Sequence, residues 1–266
     1  MKITVFTSNQ PRHLHLINGL AAIADECVAV MEANTVFPGQ VDDFFRKSDV
    51  MQTYFSEVIA SERRLFGGIA ATAENVRSLV IKMGDLNMLH EDALAPALDA
   101  DLFVVFGASY IKGWLIDRLV AAKAININMG VSPYYKGSSC NFWALFDDNP
   151  HLVGSTIHLL SKGLDSGPML YHALPDPGGC ETPFDFSMKA VAAAHASLIA
   201  RISDGSVFDG EPVVQDAADT VRYTRNRDFT DDVARAYLDR GDTLDAIARR
   251  RAERWDDGLF LKPFVL

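Results

Sequence analysis

The sequence predicts an α/β fold: a mostly parallel sheet with flanking helices, followed by a small C-terminal appendage. Three observations lead there. Short apolar runs alternate with stretches of helical spacing from the first residues onward. Those runs are separated by helices, the order of a parallel sheet covered on both faces. After Gly205 the alternation lapses, so residues 1–205 are expected to form the main domain and residues 206–266 the appendage.

Residues 3–7 read as a strand, residues 12–24 as a helix with Leu16, Leu20 and Ile23 on one face, and residues 27–31 as the next strand. Residues 41–66 scatter Phe44, Phe45, Val50, Met51, Tyr54, Phe55 and Ile59 among charges, which predicts a helical insertion over the sheet's open end. Strands follow at 79–82, 101–106 and 125–128, with helices at 89–98 and 112–122 between them. Residues 153–160 and 169–173 read as later strands joined by a Gly- and Pro-bearing loop. Thr182, Pro183 and Asp185 open a helix to about residue 202, with Thr as N-cap, Pro in the first turn and an acid three residues on. The appendage holds a strand-like 212–214 and two helices capped near Thr230 and Thr243.

The 266 residues, 48% hydrophobic and 23% charged, have the balance of a globular chain. A net charge of −10 opposes binding to nucleic acid, which depends on clustered Lys and Arg. No apolar run approaches the ~20 residues of a membrane span, and the opening Met1 to Phe6 run is too short for a signal-peptide core. Cys27, Cys140 and Cys180 are far apart and in no C-x-x-C pair, so neither a disulfide framework nor a metal site is expected, and a cytoplasmic setting fits best.

The phosphate-binding glycine motifs, the G-x-S-x-G elbow and H-E-x-x-H are all absent. His13 and His15 are two apart on a helix and point in different directions, which favours packing roles over metal binding. Arg249, Arg250, Arg251 and Arg254 close a helix, where cations suit the helix dipole.

The informative stretch is Ile125-Asn126-Ile127-Asn128-Met129-Gly130-Val131-Ser132-Pro133-Tyr134-Tyr135-Lys136-Gly137. Alternation along a strand puts Asn126 and Asn128 on one side, at the carboxyl edge where open parallel sheets bind ligands. There the two amides either donate to one oxygen of a bound carbonyl or tie down the loop that follows.

Together with Gly154-Ser155-Thr156-Ile157-His158-Leu159-Leu160 and Ser161-Lys162-Gly163-Leu164-Asp165-Ser166-Gly167, this stretch resembles the folate-dependent formyltransferase family. That family includes the glycinamide ribonucleotide, methionyl-tRNA and sugar-nucleotide enzymes. The resemblance covers most of residues 1–200 and is closest to a sugar-type or uncharacterised subgroup. It implies the Rossmann-like formyltransferase fold, 10-formyltetrahydrofolate as donor with tetrahydrofolate as product, and a small-molecule amine as acceptor, an amino sugar carried on a nucleotide being one class.

By the same resemblance Asn126 polarises the formyl oxygen, Asp165 orients water or relays a proton, and His158 is structural. The pterin would lie against Gly107, Ser109, Tyr110 and Ile111 on one side and Leu160, Gly163 and Leu164 on the other. The acceptor would enter by Asn9, Gln10, Arg12 and His13 and by Gly137, Ser138 and Asn141. One departure stands out: the position of the family's catalytic His is Asn128, which can donate a hydrogen bond but not exchange a proton near neutral pH. The expectation is therefore formyl transfer with reduced or altered competence, whether the replacement is natural or engineered. A folate- or metabolite-binding protein without catalysis and a formyltetrahydrofolate hydrolase are the other readings. Phe260, Leu261, Phe264 and Val265 offer either a homodimer surface or docking onto their own domain.

Overall fold

Lys2–Ser8 (β1) is buried along nearly its whole length, as a strand covered on both faces must be. Around it the computed structural model, which describes residues 1–34, 48–163 and 165–266, lays out an alternating chain. It continues through α1 (Pro11–Ala21), β2 (Glu26–Ala33), α2 (Asp49–Phe66), β3 (Val76–Lys82), α3 (Glu91–Leu98), β4 (Leu102–Val105), α4 (Gly113–Ala121), β5 (Ile125–Met129), β6 (Tyr135–Gly137) and α5 (Cys140–Phe146). Then come β7 (Ser155–Leu159), β8 (Met169–Leu174), α6 (Pro183–Ser203), β9 (Arg222–Thr224), α7 (Asp231–Asp239), α8 (Leu244–Arg254) and β10 (Phe264–Val265).

Eight strands form one sheet in the order β10-β8-β7-β5-β4-β1-β2-β3. All neighbours run parallel except β7, which is antiparallel to both β5 and β8. On one face Ile3 and Val5 meet Leu16, Ile17 and Leu20 of α1 and Leu198 of α6. On the other, Phe6 and Val30 meet Leu94 of α3 and Leu115 and Leu119 of α4. The predicted mostly parallel sheet with flanking helices is the observed architecture. Cover is thinnest at the edge strand β3, where Val80 is 57% exposed. No helix among the described residues is long and apolar enough to cross a membrane.

Local chemistry explains the best-predicted starts. Thr182 caps α6 by accepting from Asp185 N while the Asp185 carboxylate accepts from Thr182 N, and Pro183 occupies the first turn. Thr230 and Thr243 cap α7 and α8 with the hydroxyl alone, accepting from Val233 N and Ala246 N. Of the predicted insertion, residues 41–47, Phe44 and Phe45 among them, lie outside the described residues; α2 packs against α1, α6 and α7. Residues 153–154 precede β7, and the expected strand at 212–214 is a single bridge from Val213 to Met169, because only that residue reaches a partner backbone.

Residues beyond 205 return to the rest of the chain. Strand β9 pairs with β6, and β10 adds to β8. Ala234, Tyr237, Ile247 and Phe260 share a core with Val131, Tyr135, Trp143 and Phe186. Phe260 is thus buried against its own chain.

Candidate functional site

Strand β5 has different company on its two faces. Ile125 and Ile127 point into the core under α1 and α6, so alternation sends Asn126 and Asn128 to the face of α3 and α4. Antiparallel β7 then sets His158 opposite Asn126 and Thr156 opposite Asn128. Asn126 Nδ2 donates to His158 Nε2 at 3.0 Å, while His158 Nδ1 donates to the Leu159 carbonyl at 2.8 Å. That carbonyl can only accept, so it sets the ring's tautomer and leaves Nε2 as acceptor. Burial pushes the His158 pKa down, which keeps the ring neutral. Asn128 differs: its Nδ2 is buried and has no hydrogen-bond partner among the described residues.

The turn after β5 is held from beneath. Thr156 Oγ1 donates to the Gly130 carbonyl at 2.7 Å and accepts from Ser132 N at 2.8 Å. His172, opposite Thr156 on β8, donates from Nε2 to the Ser132 carbonyl at 2.9 Å and accepts at Nδ1 from Leu261 N at 3.0 Å. Burial pushes the pKa of this ring down to about 4. The turn beside Asn128 is thereby tied to the C-terminal segment through one imidazole.

Beside the two amides lies a cavity of about 240 Å³. Of the residues predicted to act in catalysis, Asn126, Asn128 and Asp165 all line it, and of those predicted to bind the cofactor, Gly107, Ser109, Tyr110, Ile111, Leu160 and Gly163 do. Leu164 lies outside the described residues. Tyr110 Oη donates to the Lys162 carbonyl at 2.7 Å, joining the two loops that form the walls. Asp165 has a left-handed backbone with φ 47°, and burial raises the pKa of its carboxyl. Gln215 Nε2 donates to the carbonyls of Asp165 and Gly167 at 2.8 and 2.9 Å, and a Cβ at Gly167 would collide with the Leu159 carbonyl. The loop is therefore drawn against the end of β7.

The residues predicted for the acceptor disperse. Asn9 exchanges two hydrogen bonds with the backbone of Asn34, and Gln10 stands at the N-cap position of α1 without a side-chain cap, its Oε1 buried and unpartnered among the described residues. His13 is buried, its Nδ1 2.7 Å from Thr7 Oγ1. Gly137 and Ser138 are engaged by β9: Ser138 N donates to the Thr224 carbonyl at 3.0 Å, and at Gly137 a Cβ would strike that same carbonyl. Arg12 and Asn141 both line a second cavity of about 280 Å³, as does Met129.

Sequence reading missed Glu32. It is fully buried, with Oε1 accepting from Gly84 N at 2.8 Å and Oε2 from Ser109 N at 2.5 Å. A carboxylate closing the apolar run Cys27-Val28-Ala29-Val30-Met31 is the signal that marks it, since such a charge is retained in a core only with strong partners. His172 and Gln215 left no comparable trace.

No family model matches the chain. The methionyl-tRNA formyltransferase of Trichormus variabilis is 26% identical over 143 residues, 53% of this chain and 42% of that protein. That of Trichodesmium erythraeum is 26% identical over 160 residues, 58% of this chain and 44% of that protein. The chain thus spans less than half the length of these curated relatives. Among solved structures, a 4-N formyltransferase from Francisella tularensis superposes with a TM-score of 0.54 at 16% identity, over 86% of this chain and 77% of that one. A phosphoribosylglycinamide formyltransferase from Anaplasma phagocytophilum gives 0.51 at 16% identity, over 85% and 99%. The fold is that of the formyltransferases. Over about half its length the chain is also similar in sequence to methionyl-tRNA formyltransferases, and the expected resemblance to the formyltransferase family holds.

Proposed function

We propose that this chain transfers a formyl group from 10-formyltetrahydrofolate to the amine of a small metabolite. The observation that carries the reading is the buried, unpartnered Nδ2 of Asn128 beside Asn126 and Asp165, an amide that asks for an acceptor from a ligand. The fit to a folate donor is chemical: Val105, Ile111, Ile116 and Leu160 supply apolar wall for a pterin, and the backbone of residues 107–111 supplies polar edges. Bound there, 10-formyltetrahydrofolate supplies an activated formyl carbon.

Asn126 and Asn128 donate to the formyl oxygen as charge builds on it, each with an N–H not used elsewhere. Loss of one such donor costs ~10²–10³ in rate. Asp165, its pKa raised by burial, takes the proton that the attacking nitrogen sheds. Asn128 cannot take it, so Asp165 alone carries this proton and hands it to the donor nitrogen, whose bond to the formyl carbon breaks to leave tetrahydrofolate. The test is calorimetric titration with 5-formyltetrahydrofolate. Micromolar binding that Asp165→Ala removes supports the reading, and no binding to the folded protein ends it.

Asn128 also favours a second reading, a folate-binding protein without turnover. The variant Asn128→His separates the two: transfer to an amine rises by orders of magnitude under the first and stays absent under the second.

A further inference from the structure

The second cavity lies on the other side of β5 from the first. Met129 is at its rim, next in sequence to Asn128, whose side chain belongs to the first. Asn128 and Met129 are neighbours at the carboxyl end of this strand, and if the acceptor amine reaches the formyl carbon past that end, the chemistry of this cavity is the chemistry of the acceptor, an inference that rests on the formyl-transfer reading above.

Its walls are aromatic. Tyr54 meets Phe142, Phe184 and Phe229 with ring centroids 5.7, 5.3 and 5.0 Å apart, Phe142 meets Phe229 edge-on at 4.7 Å, and Phe184 meets Tyr237 edge-on at 5.8 Å. Rings set edge to face around a void leave positions for one more ring or a branched aliphatic group. Two of the polar groups are already engaged: Asn141 Oδ1 accepts from Gly154 N at 3.0 Å, and Arg12, the only cation among the described wall residues, donates from Nη1 to Glu62 at 2.7 Å. A phosphate placed here would meet a cation already neutralised by a buried carboxylate, and its desolvation would go unrepaid. The volume, about 280 Å³, is at the small end of ligand cavities, ~300–1,000 Å³.

The geometry points to an acceptor whose amine is carried on an uncharged aromatic or branched aliphatic group, with no nucleotide attached. The aromatic walls select this group.

The test is calorimetry on the full chain with phenethylamine and with a uridine-diphosphate-linked amino sugar, each with and without saturating 5-formyltetrahydrofolate. Phenethylamine is expected to bind and the nucleotide sugar not to. Ser187→Phe, which fills the cavity from α6, is expected to weaken phenethylamine at least tenfold while the melting temperature and folate affinity stay at wild-type values. If that variant does not fold, Phe229→Ala removes one wall ring and gives a weakening in the same direction. No phenethylamine binding, binding that neither variant weakens, or preference for the nucleotide sugar overturns the inference. Loss of folate binding alone overturns the formyl-transfer reading instead, and the amine titration without folate still decides what the cavity takes.

Discussion

Asn126 and His158 face each other across the β5–β7 ladder, and the amide donates to the ring's Nε2 at 3.0 Å. The Leu159 carbonyl fixes the ring, the ring fixes the amide, and Asn126 lines the cavity beside it. His158→Phe keeps the ring's bulk and removes its acceptor. The buried Asn126 N–H then lacks its partner, and stability is expected to fall by about 1–3 kcal/mol, read by urea unfolding. Affinity for 5-formyltetrahydrofolate is expected to fall in parallel.

His172 predicts a pH dependence of folding. Its pKa is depressed from 6.5 in the unfolded chain to about 4 in the fold, so the unfolded state binds the extra proton between those values. Its contribution is complete above pH 6.5 and is lost as pH falls toward 4, roughly 3 kcal/mol from this ring alone. Gln can donate to Ser132 and accept from Leu261 without titrating. Urea midpoints measured from pH 7 to pH 4.5 are expected to fall less steeply in His172→Gln than in wild type.

Asp165 sets the expected pH profile of transfer. A base must be ionised, so the rate is expected to rise with pH through a midpoint above the ordinary carboxylate range, and Asp165→Asn abolishes that limb. Asn128→His supplies a second proton carrier and is expected to raise the rate by ~10²–10⁴. A stopped assay of tetrahydrofolate release over pH 5–8.5 measures both.

Glu32 positions the turn that holds Ser109. In Glu32→Gln one of the two acceptor oxygens becomes an amide that cannot accept, so either Gly84 N or Ser109 N loses its partner and an amide N–H faces it from the buried side chain. Stability is expected to drop by about 1–3 kcal/mol. Folate Kd is expected to rise several-fold, with the pH profile of transfer unmoved, which distinguishes a positioning role from proton transfer.

Much of this arrangement is legible in the sequence because it is local or periodic. Asn126 and Asn128 share a face through simple strand alternation, and α6 announces itself through Thr182, Pro183 and Asp185. The antiparallel insertion of β7 is not legible that way, since a five-residue apolar strand reads the same in either direction. Gly137 and Ser138 look like a mobile Pro/Gly loop until β9 arrives beside them from far along the chain, through a three-residue ladder with no periodic signature. The role of His172 depends on Leu261, and nothing in either segment's own pattern links them. Glu32 is the intermediate case: its charge within an apolar run is visible, but its partners are backbone groups that sequence cannot place.

One strand separates the two cavities, and each is walled by different parts of the chain. The turn after β4 and the loop after β7 build one, while α2, α5, α6, Phe229 and Tyr237 build the other. Substitutions on the aromatic side therefore leave the amide pair and its neighbouring carboxylate where they are. If the second cavity holds the acceptor as proposed, selection for a new substrate can explore the six rings nearly independently of the amide pair, and a library confined to Phe55, Phe184 and Phe229 is the place to sample new specificities.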